Sequence, residues 1–207
     1  MKFLWISGWA VSPDWLAEQA RAGWPEAEHA AVSPTNAAAA LAEKKFDALG
    51  GYSLGALWLL SRSKTIPEKT PVVLLAPIFE FPAEQGCGGR ITLAQLRWQR
   101  RRMRLEPAVA LADFFERTGL ASTVPLPSDL SDDALAALDE ELVWLENLHA
   151  PLPPPRHWRG VAGATDALTD AFALRKLWPA LRVIAGEGHA PGPLLKAARE
   201  MFLDSRT

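Results

Sequence analysis

Residues 46–60 read Phe-Asp-Ala-Leu-Gly-Gly-Tyr-Ser-Leu-Gly-Ala-Leu-Trp-Leu-Leu, a short apolar run followed directly by a helical one. The motif Gly51-Tyr52-Ser53-Leu54-Gly55 joins the two runs. A chain that passes from a strand into a helix at one residue must turn sharply, and glycines on either side of that residue keep other side chains out of the way. The stretch therefore predicts a strand, a tight turn at Ser53 and a helix.

The same alternation of short apolar runs with helical stretches continues along the chain. This pattern is typical of an α/β protein with a parallel sheet. The predicted strands are Lys2–Ile6, Glu28–Val32, Phe46–Tyr52, Pro71–Ala76, His157–Gly163 and Leu181–Ala185. The predicted helices are Pro13–Ala22, Asn36–Lys45, Leu54–Lys64, Thr169–Leu177 and Pro191–Asp204. We expect a single domain over residues 1–207, with a doubly wound, mostly parallel sheet of about six strands.

One long segment, about residues 79–155, interrupts this alternation. It shows helical periodicity and no strand-like run, and turn-forming clusters such as residues 151–155 divide it. Connections between strands and helices are usually much shorter, so we interpret the segment as a helical cap, or lid, inserted between two strands. An ordinary but elongated crossover is the alternative.

Ser53 is the candidate nucleophile of the strand–turn–helix motif. On such a turn the hydroxyl projects above the sheet at the N-terminus of a helix, where the helix dipole favours developing negative charge. The alternative is a pair of turn glycines that flank an incidental serine. The apolar run before the motif and the helical run after it favour the nucleophile.

A nucleophilic serine needs a base, and the base needs a carboxylate that orients it. His189 is the candidate base, because it lies in the loop between the last predicted strand and the last helix. The other histidines precede the serine, lie in the cap or begin a strand, in the order His29, His149 and His157. Asp166 is the candidate carboxylate, because it comes just after the preceding strand. Its rival Asp170 is better explained as the cap of a helix.

The reaction of a serine with a carbonyl group also needs donors for the oxyanion that develops. The first candidate is the backbone N–H of Leu54, the residue after the nucleophile. The second is the backbone N–H of Trp9, in the loop after the first strand. Both donors belong to the backbone, so the residue types do not themselves identify them.

Four motifs in these loops resemble those of a known group of proteins. The motifs are Gly8-Trp9, Gly51-Tyr52-Ser53-Leu54-Gly55, Gly163-Ala164-Thr165-Asp166 and Gly188-His189-Ala190-Pro191. Together they resemble α/β-hydrolases of the pimeloyl-[acyl-carrier protein] methyl ester esterase type, the BioH-type carboxylesterases of biotin synthesis. The resemblance implies an α/β-hydrolase fold, a triad of Ser53, Asp166 and His189, and oxyanion donors at Trp9 and Leu54. Ser7 departs from the pattern, since that family usually has a histidine before the Gly-Trp pair.

The resemblance also implies a reaction and a partner. We expect a serine carboxylic ester hydrolase that acts on an acyl ester, with the methyl ester of a pimeloyl group on acyl carrier protein as the specific candidate. No metal or other cofactor is expected. Two alternatives stay open: a generic small-ester carboxylesterase or a lyase of the same fold, and a catalytically silent protein that only binds ligands.

A run of arginines in the cap suggests a surface for such a partner. Residues 85–105 contain six arginines and no acid, and four of the arginines share one broad helical face. Those four are Arg97, Arg100, Arg101 and Arg104. This face could hold a phosphopantetheine phosphate and an acidic carrier protein. The alternative is pairing with residues 129–146, which contain seven carboxylates and no lysine or arginine.

Composition and charge narrow the kind of protein, its partners and its location in the cell. Hydrophobic residues make up 49% and charged residues 22% of the chain, which is typical of a folded globular protein. A net charge of −2 gives no general attraction to nucleic acid or anionic membranes, and neither is expected as a partner. The single cysteine and the short N-terminal apolar run favour a reducing, cytoplasmic location.

Overall fold

The six predicted strands form one parallel sheet in a computed structural model that describes residues 1–43 and 45–204. The strands are β1 (Lys2–Ile6), β2 (Glu28–Val32), β3 (Ala48–Tyr52), β4 (Val72–Leu75), β5 (Arg159–Gly163) and β6 (Arg182–Ile184). They pair in the order β2-β1-β3-β4-β5-β6. The predicted α/β fold with a parallel sheet is therefore confirmed.

Eight α-helices connect or follow these strands in the described part of the chain. They are α1 (Pro13–Gly23), α2 (Ala37–Ala42), α3 (Leu54–Ser61), α4 (Leu93–Leu105), α5 (Pro107–Arg117), α6 (Asp132–Asn147), α7 (Ala171–Leu177) and α8 (Pro191–Asp204). None of these helices is both long enough and apolar enough to cross a bilayer.

The predicted elements differ from the observed ones mainly at their ends. Strand β3 begins two residues later than predicted and β5 begins at Arg159, so His157 lies outside the sheet. Helix α7 begins two residues late because the Asp170 side chain caps it, accepting hydrogen bonds from Phe172 and Ala173. The helix predicted over residues 36–45 is shorter: a 3-10 turn at residues 34–36 leads into α2, and Lys44 lies outside the described residues.

The direction in which successive strands are added to the sheet reverses between β1 and β3, and this position decides where a site can form. Strand β2 lies on one side of β1, while β3 and all later strands lie on the other. The loops that leave the carboxyl ends of β1 and β3 therefore diverge and open a crevice between them. The residues predicted to carry the chemistry follow the carboxyl ends of β1, β3, β5 and β6.

His29 belongs to the packing of the sheet and lies away from that crevice. Its Nδ1 accepts a hydrogen bond of 2.9 Å from the Trp5 indole, and its Nε2 lies 2.8 Å from the Trp24 carbonyl oxygen. Nε2 must therefore carry the proton and donate it. Burial lowers the pKa of His29, which keeps the ring neutral. This arrangement explains why His29 serves the core and is unavailable as a base.

The chain between β4 and β5 forms a helical insertion, and its role as a cap or lid stays a prediction. Helices α4, α5 and α6 all belong to it, and α4 packs against both of the others. The loops at the two ends of the insertion meet near the sheet, where the Ala150 amide donates a hydrogen bond of 2.9 Å to the Phe79 carbonyl oxygen.

The start of α3 approaches the end of β1 more closely than any side chain would allow. A Cβ atom at Gly55 would lie 2.1 Å from the Ile6 carbonyl oxygen. This contact involves backbone atoms on both sides, so neither side can relax by changing a rotamer. The glycine after the serine is therefore required by the packing of the helix on the sheet, in addition to the turn that the sequence indicates.

We expect Gly55→Ala to lower the free energy of unfolding by several kcal/mol, because the new methyl group must push α3 and β1 apart. The matched control is Gly192→Ala, at the second residue of α8, where the nearest atom to a new Cβ is 3.9 Å away. That variant should change stability by less than about 1 kcal/mol. Urea unfolding of both variants tests this, and equal midpoints would contradict the packing argument.

Candidate active site

Ser53 lies at the sharp turn between β3 and α3. Its backbone has a φ of +54° and a ψ of −115°, a conformation that is rare for any residue with a side chain. Hydrogen bonds hold the turn from both sides: the Ser53 amide donates to Leu75 on β4, and the Ser53 carbonyl accepts from Ala56 and Leu57. The strained conformation is therefore maintained by the strands and the helix around it.

Two hydrogen bonds connect Ser53 to the other two predicted residues of the site. The Oγ atom of Ser53 lies 2.9 Å from Nε2 of His189. The Nδ1 atom of His189 lies 2.7 Å from Oδ2 of Asp166. All three side chains are buried, with 7% of Ser53, 3% of His189 and none of Asp166 exposed. The geometry lets the imidazole accept the serine proton while the carboxylate holds the opposite ring nitrogen.

The loops after β5 and β6 bring the acid and the base together. A Cβ atom at Gly163 would lie 2.2 Å from the Gly188 carbonyl oxygen, so the two loops touch through their backbones. Thr165 strengthens this contact, because its amide and its hydroxyl both donate to the Glu187 carbonyl oxygen at 2.8 Å. Asp166 and His189 follow directly after these contacts, which explains their separation of one hydrogen bond.

Asp166 is held in its ionised form by its surroundings. Burial alone raises its pKa, but the charge of His189 and the hydrogen bonds from His189 and from the Leu168 amide outweigh burial. The pKa of Asp166 therefore lies below its ordinary value. At neutral pH the group is a carboxylate, as it must be to orient and stabilise a protonated imidazole.

Two residues that the sequence did not single out support this arrangement. The Arg90 guanidinium donates a hydrogen bond of 3.0 Å to the Asp166 carbonyl oxygen, and the Arg90 amide donates to Leu168 at 2.9 Å. The Tyr52 hydroxyl donates to the His189 carbonyl oxygen at 3.1 Å. Burial raises the pKa of Tyr52, so this hydroxyl keeps its proton. Tyr52 was detectable as the residue before the serine, but Arg90 comes from the insertion and only the fold brings it here.

Of the two residues predicted to supply oxyanion donors, Trp9 lines the pocket at Ser53, and Leu54 follows Ser53 as the first residue of α3. Within the described residues, the amides of Trp9 and Leu54 donate to no protein acceptor. The Trp9 indole N–H has a different role, since it donates to the Leu138 carbonyl oxygen on α6 at 3.0 Å.

The pocket at Ser53 is narrow and mostly apolar. Its volume is about 10 Å³, enough for one water molecule. A second pocket of about 100 Å³ shares four wall residues with it and extends into the helical insertion. The shared residues are Phe81, Phe114, Leu145 and Leu168. These four side chains therefore stand between the serine and a larger apolar space.

Of the four arginines predicted to share a face of α4, three form ion pairs with acids of α6. Arg100 binds Asp139 through two hydrogen bonds of 3.0 and 3.1 Å. Arg104 pairs with Asp139 and Arg97 with Glu146, at 3.0 Å each, and Arg100 also pairs with Glu146 at 3.6 Å. Arg101 pairs with no acid among the described residues. These contacts agree with the alternative that the sequence left open, and contact with a carrier protein stays a prediction.

Residues 1–43 and 45–204 contain no group of three or more His, Cys, Asp or Glu side chains placed to hold a metal ion. The hydrogen-bonded side chains at the turn are those of the serine, histidine and aspartate. Such a set can carry out acyl transfer through a covalent intermediate.

Comparison with known proteins identifies the fold. No protein-family model and no curated protein matches the sequence. Among solved structures, an enol-lactonase from Burkholderia xenovorans LB400 has a TM-score of 0.68 at 12% identity, covering 98% of this chain and 90% of its own. BioG from Haemophilus influenzae has a TM-score of 0.60 at 13% identity, covering 91% and 88%.

An esterase, RhEst1 from Rhodococcus sp. ECU1013, is similar over all of this chain and 89% of its own, with a TM-score of 0.59 at 17% identity. An α/β-hydrolase fold protein from Chitinophaga pinensis is also similar over the full length of this chain. The chain therefore has the α/β-hydrolase fold, as its motifs predict. Structural similarity at such low sequence identity shows the fold alone, and the activity has to be inferred from the site.

We expect Arg90→Ala to slow covalent labelling of Ser53 by a fluorophosphonate about three- to tenfold, because the Asp166 loop loses one charged hydrogen bond. Arg101→Ala, which removes an arginine of the same insertion that pairs with no acid, is the matched control and should label at the wild-type rate. Labelling rates and melting temperatures of both variants are measured together. An Arg90→Ala protein that labels at full speed would exclude a positioning role for this residue.

Proposed function

We propose that this protein is a serine hydrolase that cleaves carboxylic esters. The observation that carries the proposal is the hydrogen-bonded series from Ser53 through His189 to Asp166, at 2.9 and 2.7 Å. The series lies at the carboxyl edge of the sheet, near the amides of Trp9 and Leu54, which donate to no acceptor in the part of the chain that the structure describes. Neighbours of the same fold include an esterase and an enol-lactonase, which supports the same class of chemistry here.

The first half of the proposed reaction forms an acyl-enzyme. Ser53 Oγ bonds to the carbonyl carbon of the ester while its proton passes to Nε2 of His189. The carbonyl oxygen becomes an oxyanion and accepts hydrogen bonds from the Trp9 and Leu54 amides. When the oxyanion collapses, the bond from the carbonyl carbon to the alcohol oxygen breaks. His189 returns the proton to that oxygen, and the alcohol leaves.

The second half releases the acid. A water molecule gives a proton to His189 as its oxygen bonds to the acyl carbon, and the same amides stabilise the second oxyanion. The bond to Ser53 Oγ then breaks, and the proton from His189 restores the serine hydroxyl. Asp166 stays ionised throughout and stabilises the imidazolium in each half. The proposed reaction uses no metal and no other cofactor.

The pockets support an ester with an apolar acyl group. Most of the wall around Ser53 is apolar, and the adjoining pocket of about 100 Å³ is lined by side chains such as Ile91, Leu96 and Leu142. The narrow space at the serine requires that some of the shared aromatic and leucine side chains move when substrate enters. An acyl chain that reached the larger pocket would pass between these residues.

The specific substrate that we propose is the methyl ester of a pimeloyl group carried by acyl carrier protein. The motif resemblance supports this choice, and the BioG structure has a similar fold. For the carrier we propose the arginine face of α4, where a surface groove of about 410 Å³ is lined by the four arginines and Leu105. Arg101 has its charge available there, while the other three are already paired with acids of α6.

A fluorophosphonate probe tests whether Ser53 is catalytic. We expect it to label the wild-type protein and Ser61→Ala, a control serine in α3, and to leave Ser53→Ala unlabelled. Hydrolysis of 4-nitrophenyl esters should fall at least about a thousandfold in Ser53→Ala. A wild-type protein that is neither labelled nor active on these esters would instead be a binding protein with a hydrolase fold.

Rescue of a biotin auxotroph tests the specific substrate. A bacterial strain that lacks its pimeloyl methyl esterase should grow without biotin when it expresses the wild-type protein, and should not grow with Ser53→Ala. We expect Arg101→Glu to weaken growth, because the reversed charge repels an acidic carrier. If the wild-type protein labels with fluorophosphonate but fails to rescue growth, the ester hydrolase stands and the pimeloyl substrate is excluded.

A further inference from the structure

Another cavity, of about 400 Å³, lies on the other side of the loop that follows β1. Three parts of the chain enclose it: the loop over residues 7–13, the turn over residues 33–36, and the segment over residues 127–141 that includes one face of α6. Gly8 and Val11 line both this cavity and the pocket at Ser53. The proposed reaction uses none of the polar side chains of this cavity.

The carboxyl group of Glu141 is buried in the wall of this cavity. Only 3% of the residue is exposed, although it lies in the insertion, where most acids of α6 reach the surface. Burial raises the pKa of Glu141 to about 8, a backbone hydrogen bond from Thr35 lowers it, and the charge of Glu140 raises it. No basic side chain lines the cavity and no ion pair of Glu141 is present among the described residues. A buried acid without a cation is costly, and such groups are often functional.

Ser7 contributes an unsatisfied hydroxyl group to the same wall. Its hydroxyl is buried, with 1% of the residue exposed, and has no hydrogen-bond partner within residues 1–43 and 45–204. The residue itself is fixed, because its amide donates to the Val32 carbonyl oxygen at 2.9 Å. Buried hydroxyls are almost always bonded, so the Ser7 oxygen is available to bind a molecule that enters the cavity.

The charges of the cavity select the kind of partner. The titratable groups that line it are Asp129, at the surface, and Glu141, inside. The other polar wall residues are neutral: Ser7, Ser12, Ser33, Thr35 and Asn36. The described wall residues include no lysine, arginine or histidine, so Asp129, and Glu141 once it ionises, favour a cation over an anion. An ammonium group has three donors and no acceptor, which matches a carboxylate and a free hydroxyl oxygen.

The remaining wall is apolar and could hold the body of such a ligand. It consists of Ala10, Val11, Pro13, Pro127, Ala134, Ala137 and Leu138. Its size is within the range of sites for small organic molecules and exceeds the needs of an inorganic ion.

From these features we propose that the cavity is a binding site for a small organic molecule with a primary ammonium group. The ammonium group donates hydrogen bonds to Glu141 and to the Ser7 hydroxyl, and the apolar part packs against the α6 face. The site is separate from the pocket at Ser53. The hydrogen bond from the Trp9 indole to Leu138 joins the walls of the two spaces. The proposal does not depend on ester hydrolysis.

Tyramine is a suitable probe, with tyrosol, its neutral alcohol analogue, as the matched ligand. Isothermal titration calorimetry of the full chain at pH 7 should show that tyramine binds at least about tenfold more tightly than tyrosol. Glu141→Gln should weaken tyramine binding at least about tenfold. The control Glu140→Gln changes an exposed acid one residue away that does not line the cavity, and its affinity should stay within about twofold of wild type.

Ser7→Ala provides a second variant if Glu141→Gln folds poorly. It removes a hydroxyl that has no protein partner, so folding should be retained while tyramine binds about three- to tenfold more weakly. Equal binding of tyramine and tyrosol, or unchanged binding in Ser7→Ala or in a folded Glu141→Gln, would overturn the proposal. So would the absence of any binding by the wild-type protein.

Proton release provides an independent measurement. Glu141 is mostly protonated at pH 7 in the empty cavity and must ionise to pair with an ammonium group, so binding should release about one proton. Titrations in phosphate and in MOPS, which have different ionisation enthalpies, give the number of protons directly. Asp129 is exposed and its pKa is lowered by hydrogen bonds from Ser131, so it contributes no proton at this pH. Binding without proton release would contradict the assigned role of Glu141.

Discussion

The close approach of α3 to β1 is the constraint on which the rest of the site depends. Gly55 leaves no room between the helix and the Ile6 carbonyl oxygen, so the helix begins directly against the end of the central strands. The chain reaches that position through a turn with a positive φ at Ser53. Strain at the serine and tight packing of the helix are therefore one feature, and it places the hydroxyl beside the loop that follows β1.

The helical insertion reaches the site at two points that are far apart in sequence. Arg90, before α4, holds the backbone of Asp166, and Leu138, on α6, accepts the indole proton of Trp9. The insertion thus supports both the residue that orients the base and the loop that supplies a proposed oxyanion donor. A change in the packing of these helices would reach the serine through the two contacts, without altering any of the three hydrogen-bonded side chains.

The acids of α6 have two distinct environments. Some pair with arginines of α4, and one lines a cavity. Asp139 and Glu146 face α4 and neutralise three of its arginines, which makes most of that charge part of the fold. Glu141 instead lines the cavity between the β1 loop and the turn over residues 33–36, where no basic side chain is present among the described wall residues and burial raises its pKa to about 8. Burying one acid without a cationic partner, while its neighbours are paired, lowers the stability of the fold, as is common at binding sites.

The sequence alone determined the fold class, the six strands and the positions of Ser53, Asp166 and His189, because these depend on local patterns. Apolar alternation specifies strands, and the chemistry of a turn requires particular residues at fixed spacing. Element ends were off by one to three residues where a cap such as Asp170 or a 3-10 turn decided them. The cooperation of Arg90 with Asp166, the pairing of the α4 arginines and the isolation of Glu141 arose only in the tertiary structure. Each is a contact between segments distant in the chain, and which charges meet or stay apart is set by how the insertion packs on the sheet.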